Sequence, residues 1–142
     1  MDVFLLPPFT FLEFSAKLTS VYELTIETHF AAAHNLRGYE GACERLHGHN
    51  WRVEARVKAE RLNAIDIAID FKVFKAETEK IMERLDHRYL NEVPPFDKIN
   101  TTAENIARYL YAELSKVLND GNVKVSLVRV WESEKASAAY YE

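Results

Sequence analysis

The sequence predicts an α+β domain in which two helices cover one face of a four-stranded antiparallel sheet, in the order β-β-α-α-β-β. Residues 22–30 and 50–60 alternate apolar and polar side chains with the two-residue period of half-buried strands. Two later segments instead repeat apolar residues at helical spacing. With 142 residues, of which 48% are hydrophobic, the chain can form one domain whose core needs no disulfide or structural metal.

The first two predicted strands each bury one face. In both, apolar side chains recur at every second position, and the alternation is cleaner in residues 50–60. This pattern is typical of an antiparallel sheet with one covered face. The residues predicted to face the core are Tyr22, Leu24, Ile26, Thr28 and Phe30 in the first strand, and Trp51, Val53, Ala55, Val57 and Ala59 in the second.

Two helices follow. Asp70 is a suitable N-cap for the first, because a short carboxylate can accept hydrogen bonds from the first turn. The second is predicted to begin at Thr101-Thr102, where Thr101 and Glu104 have the spacing of a capping box. The predicted apolar stripes are Phe71, Phe74, Thr78, Ile81, Met82 and Leu85 in the first helix, and Ala103, Ile106, Ala107, Leu110, Leu114 and Val117 in the second.

The last part of the chain completes the sheet. The polar, glycine-containing residues 119–122 are typical of a turn and end the second helix. Residues 123–131 are rich in valine, and residues 136–141 consist mostly of alanine and tyrosine; we interpret both segments as further strands. Because consecutive strands usually pair with one another, these two are expected to extend the same antiparallel sheet.

Composition excludes several classes of function. A net charge of −4 argues against a nucleic-acid-binding surface, and no apolar run approaches the roughly 18 to 20 residues that cross a bilayer. Cys43, the single cysteine, cannot form an internal disulfide, which fits a cytoplasmic protein. Residues 1–20 are apolar, but Asp2 stands where a signal peptide would be basic. We interpret residues 1–20 as an N-terminal extension and residues 21–142 as the domain.

Three histidines are predicted to meet on the covered face of the sheet. His47 and His49 are two residues apart and share the face of Trp51, while His34 shares the apolar face of the first strand. His29 falls on the other face of the first strand, so it is not a candidate metal ligand. Three imidazoles suit Zn²⁺ and leave one coordination position open for water or substrate, as in catalytic sites.

Cys43 leaves an alternative open. It precedes His47 by four residues, so it could be a fourth ligand that closes a structural zinc site. The residue type does not decide between that role and a role in chemistry. A lone cysteine is also commonly a small buried hydrophobic residue, although a position so close to a metal-type His-x-His pattern favours function.

Five motifs follow one another along the chain: His34, then Cys43-x-x-x-His47-Gly48-His49, then Asp86-His87, then Thr102-Ala103-Glu104-Asn105, then Trp131-Glu132-Ser133. Their order resembles the 6-pyruvoyl-tetrahydropterin synthase family, and most of all its prokaryotic branch, the 6-carboxy-tetrahydropterin synthases of queuosine biosynthesis. The resemblance covers about residues 21–141 and implies a tunnelling fold (T-fold). It also implies edge-to-edge assembly of subunits into a barrel and a homohexamer made of two stacked trimers.

The resemblance also implies roles for the site residues. Zn²⁺ would be held by His34, His47 and His49, with the side-chain hydroxyls of 7,8-dihydroneopterin triphosphate at the open position. Cys43 would be a general base, since positive neighbours favour its thiolate. Asp86 and His87 match a pair that relays protons with the cysteine, typically across a subunit boundary. Without the resemblance, we would interpret these two residues as the C-terminal cap of the first helix. Glu132 would anchor the pterin through two parallel hydrogen bonds, and Thr102 would line the pterin pocket.

The implied reaction is a lyase reaction that yields 6-carboxy-5,6,7,8-tetrahydropterin, acetaldehyde and triphosphate. Three residues between Cys43 and His47 match the carboxy branch, and Cys43 argues against a third branch that makes a hydroxymethyl pterin. The alternatives are a 6-pyruvoyl-tetrahydropterin synthase, which eliminates triphosphate, and a non-catalytic zinc- or pterin-binding protein. Arg45, Arg88 and Lys98 are candidate partners of the triphosphate, and their spacing does not select among them.

Overall fold

The computed structural model describes residues 20–142, so the proposed extension lies, except for Ser20, outside the described residues. No helix within this part of the chain is both long and apolar enough to span a bilayer. The helices and strands are β1 (Tyr22–His34), β2 (His47–Ala59), α1 (Phe71–Met82), β3 (Arg88–Tyr89), α2 (Ala103–Leu118), β4 (Lys124–Ser133) and β5 (Ala136–Tyr140), with short 3₁₀ turns at Ala42–Glu44 and Leu90–Glu92.

The predicted α+β class is confirmed, with one additional strand. The sheet has the order β3-β1-β2-β4-β5, and its four long strands are antiparallel neighbours. The fifth strand, β3, has only two residues and pairs in parallel with Ala32 and Ala33. The chain reaches this position because His87 has a left-handed backbone (φ 55°) and donates its N–H to the Ala31 carbonyl at 2.6 Å. Two residues are too few to show the two-residue period, so β3 could not be predicted from the pattern of side chains.

The β1–β2 hairpin is the centre of the molecule. Its register is continuous from Tyr22 opposite Ala59 to His34 opposite His47. The predicted alternation of core-facing side chains is confirmed along β2, where every second residue from Trp51 to Ala59 is at most 1% exposed. Along β1, the buried alternate residues are Ile26, Thr28, Phe30, Ala32 and His34. The helices pack on this face through α1 against β1 and α2 against β4.

The helix caps agree with the prediction in one helix and differ in the other. Asp70 accepts a hydrogen bond from the Lys72 N–H at 2.7 Å and caps α1. The N-cap of α2 is Thr102, whose hydroxyl accepts from the Asn105 N–H at 3.2 Å. The predicted cap, Thr101, is one residue too early and is fully buried. Two consecutive threonines fit the cap motif equally well, and burial of the first decides between them.

Three predicted core residues are exposed. Tyr22, the first residue of β1, is 44% exposed, Phe71 is 56% and Val117 is 52% exposed. Phe71 is the first residue of α1 and lies beyond the packed face. In α2, the apolar stripe continues from Leu114 to the buried Leu118, because a spacing of four residues keeps closer to the helical period than a further step of three. The remaining residues of both predicted stripes are buried or half-buried.

Candidate metal centre

The hairpin register brings three imidazoles together at one end of β1 and β2. His34 is directly opposite His47, and His49 is opposite Ala32, two residues before His34. The three pairs of ring centroids are separated by 4.6 Å, 4.8 Å and 5.1 Å. His29 lies on the opposite face of β1 and is exposed.

Backbone carbonyls orient two of the rings. The Nδ1 of His34 is 2.7 Å from the Thr101 carbonyl, and the Nδ1 of His47 is 2.7 Å from the Arg45 carbonyl. Because a carbonyl oxygen only accepts, both Nδ1 atoms donate, and both Nε2 atoms carry a lone pair. These two Nε2 atoms are 3.0 Å apart. Two ligands on a tetrahedral zinc with bonds of 2.0–2.1 Å are about 3.3 Å apart, so the arrangement is close to the one that a shared cation requires.

His49 and Glu132 complete the cluster. The Nε2 of His49 is buried and has no hydrogen-bond partner within residues 20–142; Glu132 Oε1, at 3.5 Å, is close but is not hydrogen-bonded to it. One ligand atom from each of His34, His47, His49 and Glu132 lies within 4.8 Å of all the others. A buried nitrogen without a partner is costly, and a cation would provide one. The cluster therefore fits a metal ion.

The electrostatics of the cluster favour neutral imidazoles, which are the form that binds metals. Burial lowers the pKa of His34, and the neighbouring His47 and His49 lower it further, although the Thr101 carbonyl opposes the shift. Burial also lowers the pKa of His49, against the attraction of the Glu132 carboxylate. Both rings are therefore ready to coordinate a cation at neutral pH.

Trp51 forms the floor of the cluster. Its side chain is fully buried, and its ring packs edge-on against both His34 and His49 with centroids 5.0 Å apart. Its indole N–H donates to the Ala32 carbonyl at 3.3 Å, which ties it to β1. A rigid aromatic residue below two imidazoles restricts their rotamers, as a preorganised site requires.

Cys43 lies outside the cluster. It is half-buried in the 3₁₀ turn that precedes β2, and its carbonyl accepts the Leu36 N–H at 2.8 Å. Its sulfur does not join the four groups that could hold a metal; the fourth group is Glu132. The geometry therefore gives no support to the alternative in which Cys43 closes a structural site.

Asp86 and His87 form a hydrogen-bonded pair beside β1. Asp86 Oδ1 accepts the Ala31 N–H at 2.9 Å, and Asp86 Oδ2 is 2.9 Å from His87 Nδ1. The Ala31 N–H, and after it His87, lower the pKa of the Asp86 carboxyl. Their interpretation as the cap of α1 is wrong, because α1 ends at Met82 with Glu83 as its C-cap.

A cleft lies beside this pair. It has a volume of about 540 Å³, and the residues that line it are Ala31, Ala32, Ala33, Gly48, His49, Asn50, His87, Arg88 and Tyr89. The strand register puts Ala31, Ala33, Gly48 and Asn50 on the face of the sheet opposite to the imidazoles, and the Nε2 of His49 is buried. A small molecule in this cleft would therefore contact His87 but not the ligand atoms of the cluster.

The start of α2 supports the cluster from the other side. Thr102 caps the helix with its hydroxyl, and the carbonyl of Thr101 holds His34. The Thr101 hydroxyl is 3.2 Å from Asn91 Oδ1, which fixes this loop. Sequence reasoning missed the role of Thr101, because a contact made by a backbone carbonyl leaves no signature in the residue type.

The chain is similar to several proteins whose names refer to pterins. The model of the family described as "6-pyruvoyl tetrahydropterin synthase" matches residues 23–142. A Synechocystis protein named 6-carboxy-5,6,7,8-tetrahydropterin synthase is 34% identical over 120 residues, which cover 81% of this chain and 89% of that protein. A Pyrococcus furiosus protein named dihydroneopterin monophosphate aldolase is 33% identical over 106 residues, covering 75% and 85%. The Caenorhabditis elegans 6-pyruvoyl tetrahydropterin synthase structure has the same fold, with a TM-score of 0.77 at 23% identity, covering 87% of this chain and 97% of that one.

Proposed function

The chain belongs to the 6-pyruvoyl tetrahydropterin synthase family, and from that premise we propose that it is a zinc-dependent 6-carboxy-tetrahydropterin synthase. The proposed reaction converts 7,8-dihydroneopterin triphosphate and water into 6-carboxy-5,6,7,8-tetrahydropterin, acetaldehyde and triphosphate, in the biosynthesis of queuosine-type 7-deazapurines. The observation that carries the proposal is the group formed by three imidazoles and the Glu132 carboxylate, whose ligand atoms lie within 4.8 Å of one another. The similarity to the Synechocystis synthase supports this choice of reaction.

The three histidines are the proposed ligands of Zn²⁺. When bound by these residues, zinc would supply Lewis-acid chemistry to the hydroxyl oxygens of the substrate, and the adjacent C–H groups would become more acidic. The Thr101 and Arg45 carbonyls hold the Nδ1 atoms of His34 and His47 and so keep their Nε2 lone pairs directed at the centre. Two nitrogen ligands whose other ring atom is already fixed lose little freedom on binding the ion.

Cys43 is the proposed proton acceptor, with Asp86 and His87 as the relay. Cys43 is half-buried and precedes His47, the first proposed ligand in β2, by four residues. Its sulfur is not one of the four groups that could hold the metal. Asp86 fixes His87 Nδ1 by a 2.9 Å contact, which leaves His87 Nε2 to exchange protons. The relay across a subunit boundary, which the family likeness implies, stays a prediction.

Glu132 and Thr102 are the proposed pterin-binding residues. The Glu132 carboxylate is one-third exposed and can accept hydrogen bonds from the 2-amino group and a ring N–H of a pterin. Its position 3.5 Å from His49 supports binding of the pterin beside the metal centre. Thr102 is half-buried at the start of α2, and its hydroxyl also serves as the helix cap.

A homohexamer, a dimer of trimers, is part of the proposal. Two edges of the described sheet have no neighbouring strand. One is the outer edge of β5, and the other is the part of β1 before Ala32, because β3 pairs only with Ala32 and Ala33. Unpaired edges invite strand addition, which supports edge-to-edge assembly. Sedimentation of the purified protein tests this, because a single monomeric species would refute it.

The cytoplasmic location expected from the single cysteine stays a prediction.

Product analysis tests the reaction. We expect 7,8-dihydroneopterin triphosphate to give acetaldehyde, free triphosphate and 6-carboxy-5,6,7,8-tetrahydropterin in equal amounts. Formation of a 6-pyruvoyl product without acetaldehyde would replace the proposal with the pyruvoyl alternative.

The Pyrococcus furiosus relative favours a second candidate, an aldolase. That reaction would release a phosphorylated two-carbon aldehyde and leave a 6-hydroxymethyl pterin, so the three activities are separated by mass spectrometry of the small fragment.

A further inference from the structure

We infer that Asn91 is a positioning residue of the metal centre, whose side-chain amide fixes both the backbone and the ring of His34. The inference rests on the proposed function only in so far as the histidines bind a metal ion, and it is independent of the reaction. Asn91 lies in the 3₁₀ turn Leu90–Glu92 and is 7% exposed. Burying an amide is costly unless its groups are hydrogen-bonded, so the partners of this side chain indicate what it does.

The Asn91 amide pairs with the backbone that directly follows His34. Its Oδ1 accepts the Asn35 N–H at 3.1 Å, and its Nδ2 donates to the Asn35 carbonyl at 2.8 Å. One side chain therefore bonds to the donor and the acceptor of the same residue, as the backbone of a neighbouring strand would. Because β3 pairs with Ala32 and Ala33, the chain is held just before and just after His34.

The same amide also bonds to the residue that orients the His34 ring. The Thr101 hydroxyl donates to Asn91 Oδ1 at 3.2 Å, and the Asn35 carbonyl, at 3.4 Å, is a more distant acceptor for that hydroxyl. The Thr101 carbonyl accepts from His34 Nδ1 at 2.7 Å. Two donors therefore meet Oδ1 and one carbonyl meets Nδ2, which leaves only one orientation of the amide that satisfies all three contacts.

These contacts matter because a metal ion requires the imidazole nitrogens to converge on one point. His34 is 1% exposed, and the Asn91 amide restrains both its backbone and the carbonyl that directs its Nε2 lone pair. Without the amide, the Asn35 backbone and the Thr101 hydroxyl lose a buried partner, and the loops around His34 gain freedom that metal binding must remove. Contacts that orient a ligand from behind commonly change metal affinity by about 10- to 100-fold.

Asn122 provides a matched control, because its amide makes the same kind of contacts at the other end of β2. Its Oδ1 accepts the Glu60 and Arg61 N–H groups at 3.1 Å and 2.9 Å, and its Nδ2 donates to the Arg61 carbonyl at 2.8 Å. The 13 residues of β2, roughly 40 Å of extended chain, separate these contacts from the histidines. A substitution of Asn122 therefore removes comparable hydrogen bonds without touching the cluster.

The zinc affinity of the metal-free protein tests the inference without any turnover. Competition with a chromophoric chelator gives the Zn²⁺ dissociation constant of the wild type, Asn91→Asp, Thr101→Val and Asn122→Asp. Aspartate has the size of asparagine, but it directs an oxygen instead of an N–H group at the Asn35 carbonyl. We expect Asn91→Asp to weaken zinc binding by about tenfold to a hundredfold. Thr101→Val, which removes only the hydroxyl contact, should cause a smaller loss, and Asn122→Asp should match the wild type.

The His34 ring provides a second readout, which a general loss of stability does not change. Nuclear magnetic resonance of the metal-free proteins follows the Nδ1–H proton of His34, which the Thr101 carbonyl holds. We expect this proton to exchange with water faster in Asn91→Asp than in the wild type. In Asn122→Asp its exchange should be unchanged.

The outcomes separate this inference from the proposed reaction. Unchanged zinc affinity in Asn91→Asp would overturn the inference, as would an equal loss in Asn122→Asp. If Asn91→Asp does not fold, Thr101→Val decides, and wild-type affinity in that variant would overturn it. No zinc binding by the wild type would overturn it as well. Failure of the proposed reaction is seen separately, as a zinc-loaded wild type that releases no acetaldehyde.

Discussion

At the residue scale, the histidine cluster is the feature from which the account is built. Two Nε2 lone pairs face each other at 3.0 Å, and a third Nε2 is buried without a partner in the described part of the chain. Repulsion between lone pairs and the cost of a buried polar atom both disappear when a cation binds. The contacts that would destabilise the cluster without a metal ion therefore favour binding of one.

Removing one imidazole is expected to remove the metal. We predict that His49→Ala loses stoichiometric zinc, because it removes one of the three proposed nitrogen ligands. The matched control is His29→Ala, a histidine on the exposed face of the neighbouring strand, which should keep zinc. Elemental analysis after dialysis measures both. Full zinc content in His49→Ala would show that His49 is not a ligand.

Cys43→Ala separates catalysis from metal binding. Because Cys43 is not one of the four clustered groups, we expect zinc content to stay at the wild-type level while kcat falls about 10²- to 10⁴-fold, the usual contribution of a general base. Zinc analysis and acetaldehyde release on the same sample provide the two readouts. Loss of zinc together with activity would instead support the structural role of Cys43.

The ligand residues could be predicted because strand parity follows directly from sequence. Three of the clustered residues, His34, His47 and His49, were identified by counting in twos from buried positions, and the structure brings those rings together. The proximity of Glu132 to His49 could not be found in this way. It depends on the pairing of β2 with β4, which are far apart in sequence, and therefore on tertiary structure.

At the element scale, the start of α2 links helix stability to the site. The chain enters the helix through Thr101, whose carbonyl orients His34, and Thr102, whose hydroxyl caps the first turn. The order of elements was predictable from periodicity, whereas the choice between two adjacent threonines as N-cap was not. Burial of Thr101 by the surrounding loops decided it.

A pair of substitutions distinguishes the observed cap from the predicted capping box. Thr102→Ala should lower the free energy of unfolding by about 1 kcal/mol, since it removes the acceptor of the Asn105 N–H. Glu104→Ala should change it by less than about 0.5 kcal/mol, as for an ordinary surface residue. Urea denaturation of the zinc-loaded proteins measures both. A larger loss in Glu104→Ala than in Thr102→Ala would restore the capping box.

At the scale of the whole molecule, the buried imidazoles couple folding to pH. Burial lowers the pKa of His34 and of His49 in the folded state, whereas in the unfolded chain a histidine has its ordinary pKa of about 6.5. Below about pH 6.5, the unfolded chain therefore binds more protons than the folded one, and stability must rise with pH in that window. Above it, these two groups contribute no pH dependence.

The metal-free protein is expected to show this slope. After removal of metal, its free energy of unfolding should be level near pH 7.5 and should fall as the pH is lowered through about 6.5. The slope should be smaller in His49→Gln, which lacks one of the two titrating groups. Urea titrations at a series of pH values measure it. A metal-free protein that becomes more stable as the pH falls from 7 to 5.5 would contradict the lowered pKa values.

X-ray absorption spectroscopy at the zinc edge of the wild-type protein tests the central claim most directly. The account predicts a shell of nitrogen and oxygen neighbours at about 2.0–2.1 Å with the multiple scattering of three imidazoles. Removal of Cys43 should leave this spectrum unchanged. A sulfur neighbour at about 2.3 Å, or fewer than three imidazoles, would contradict it.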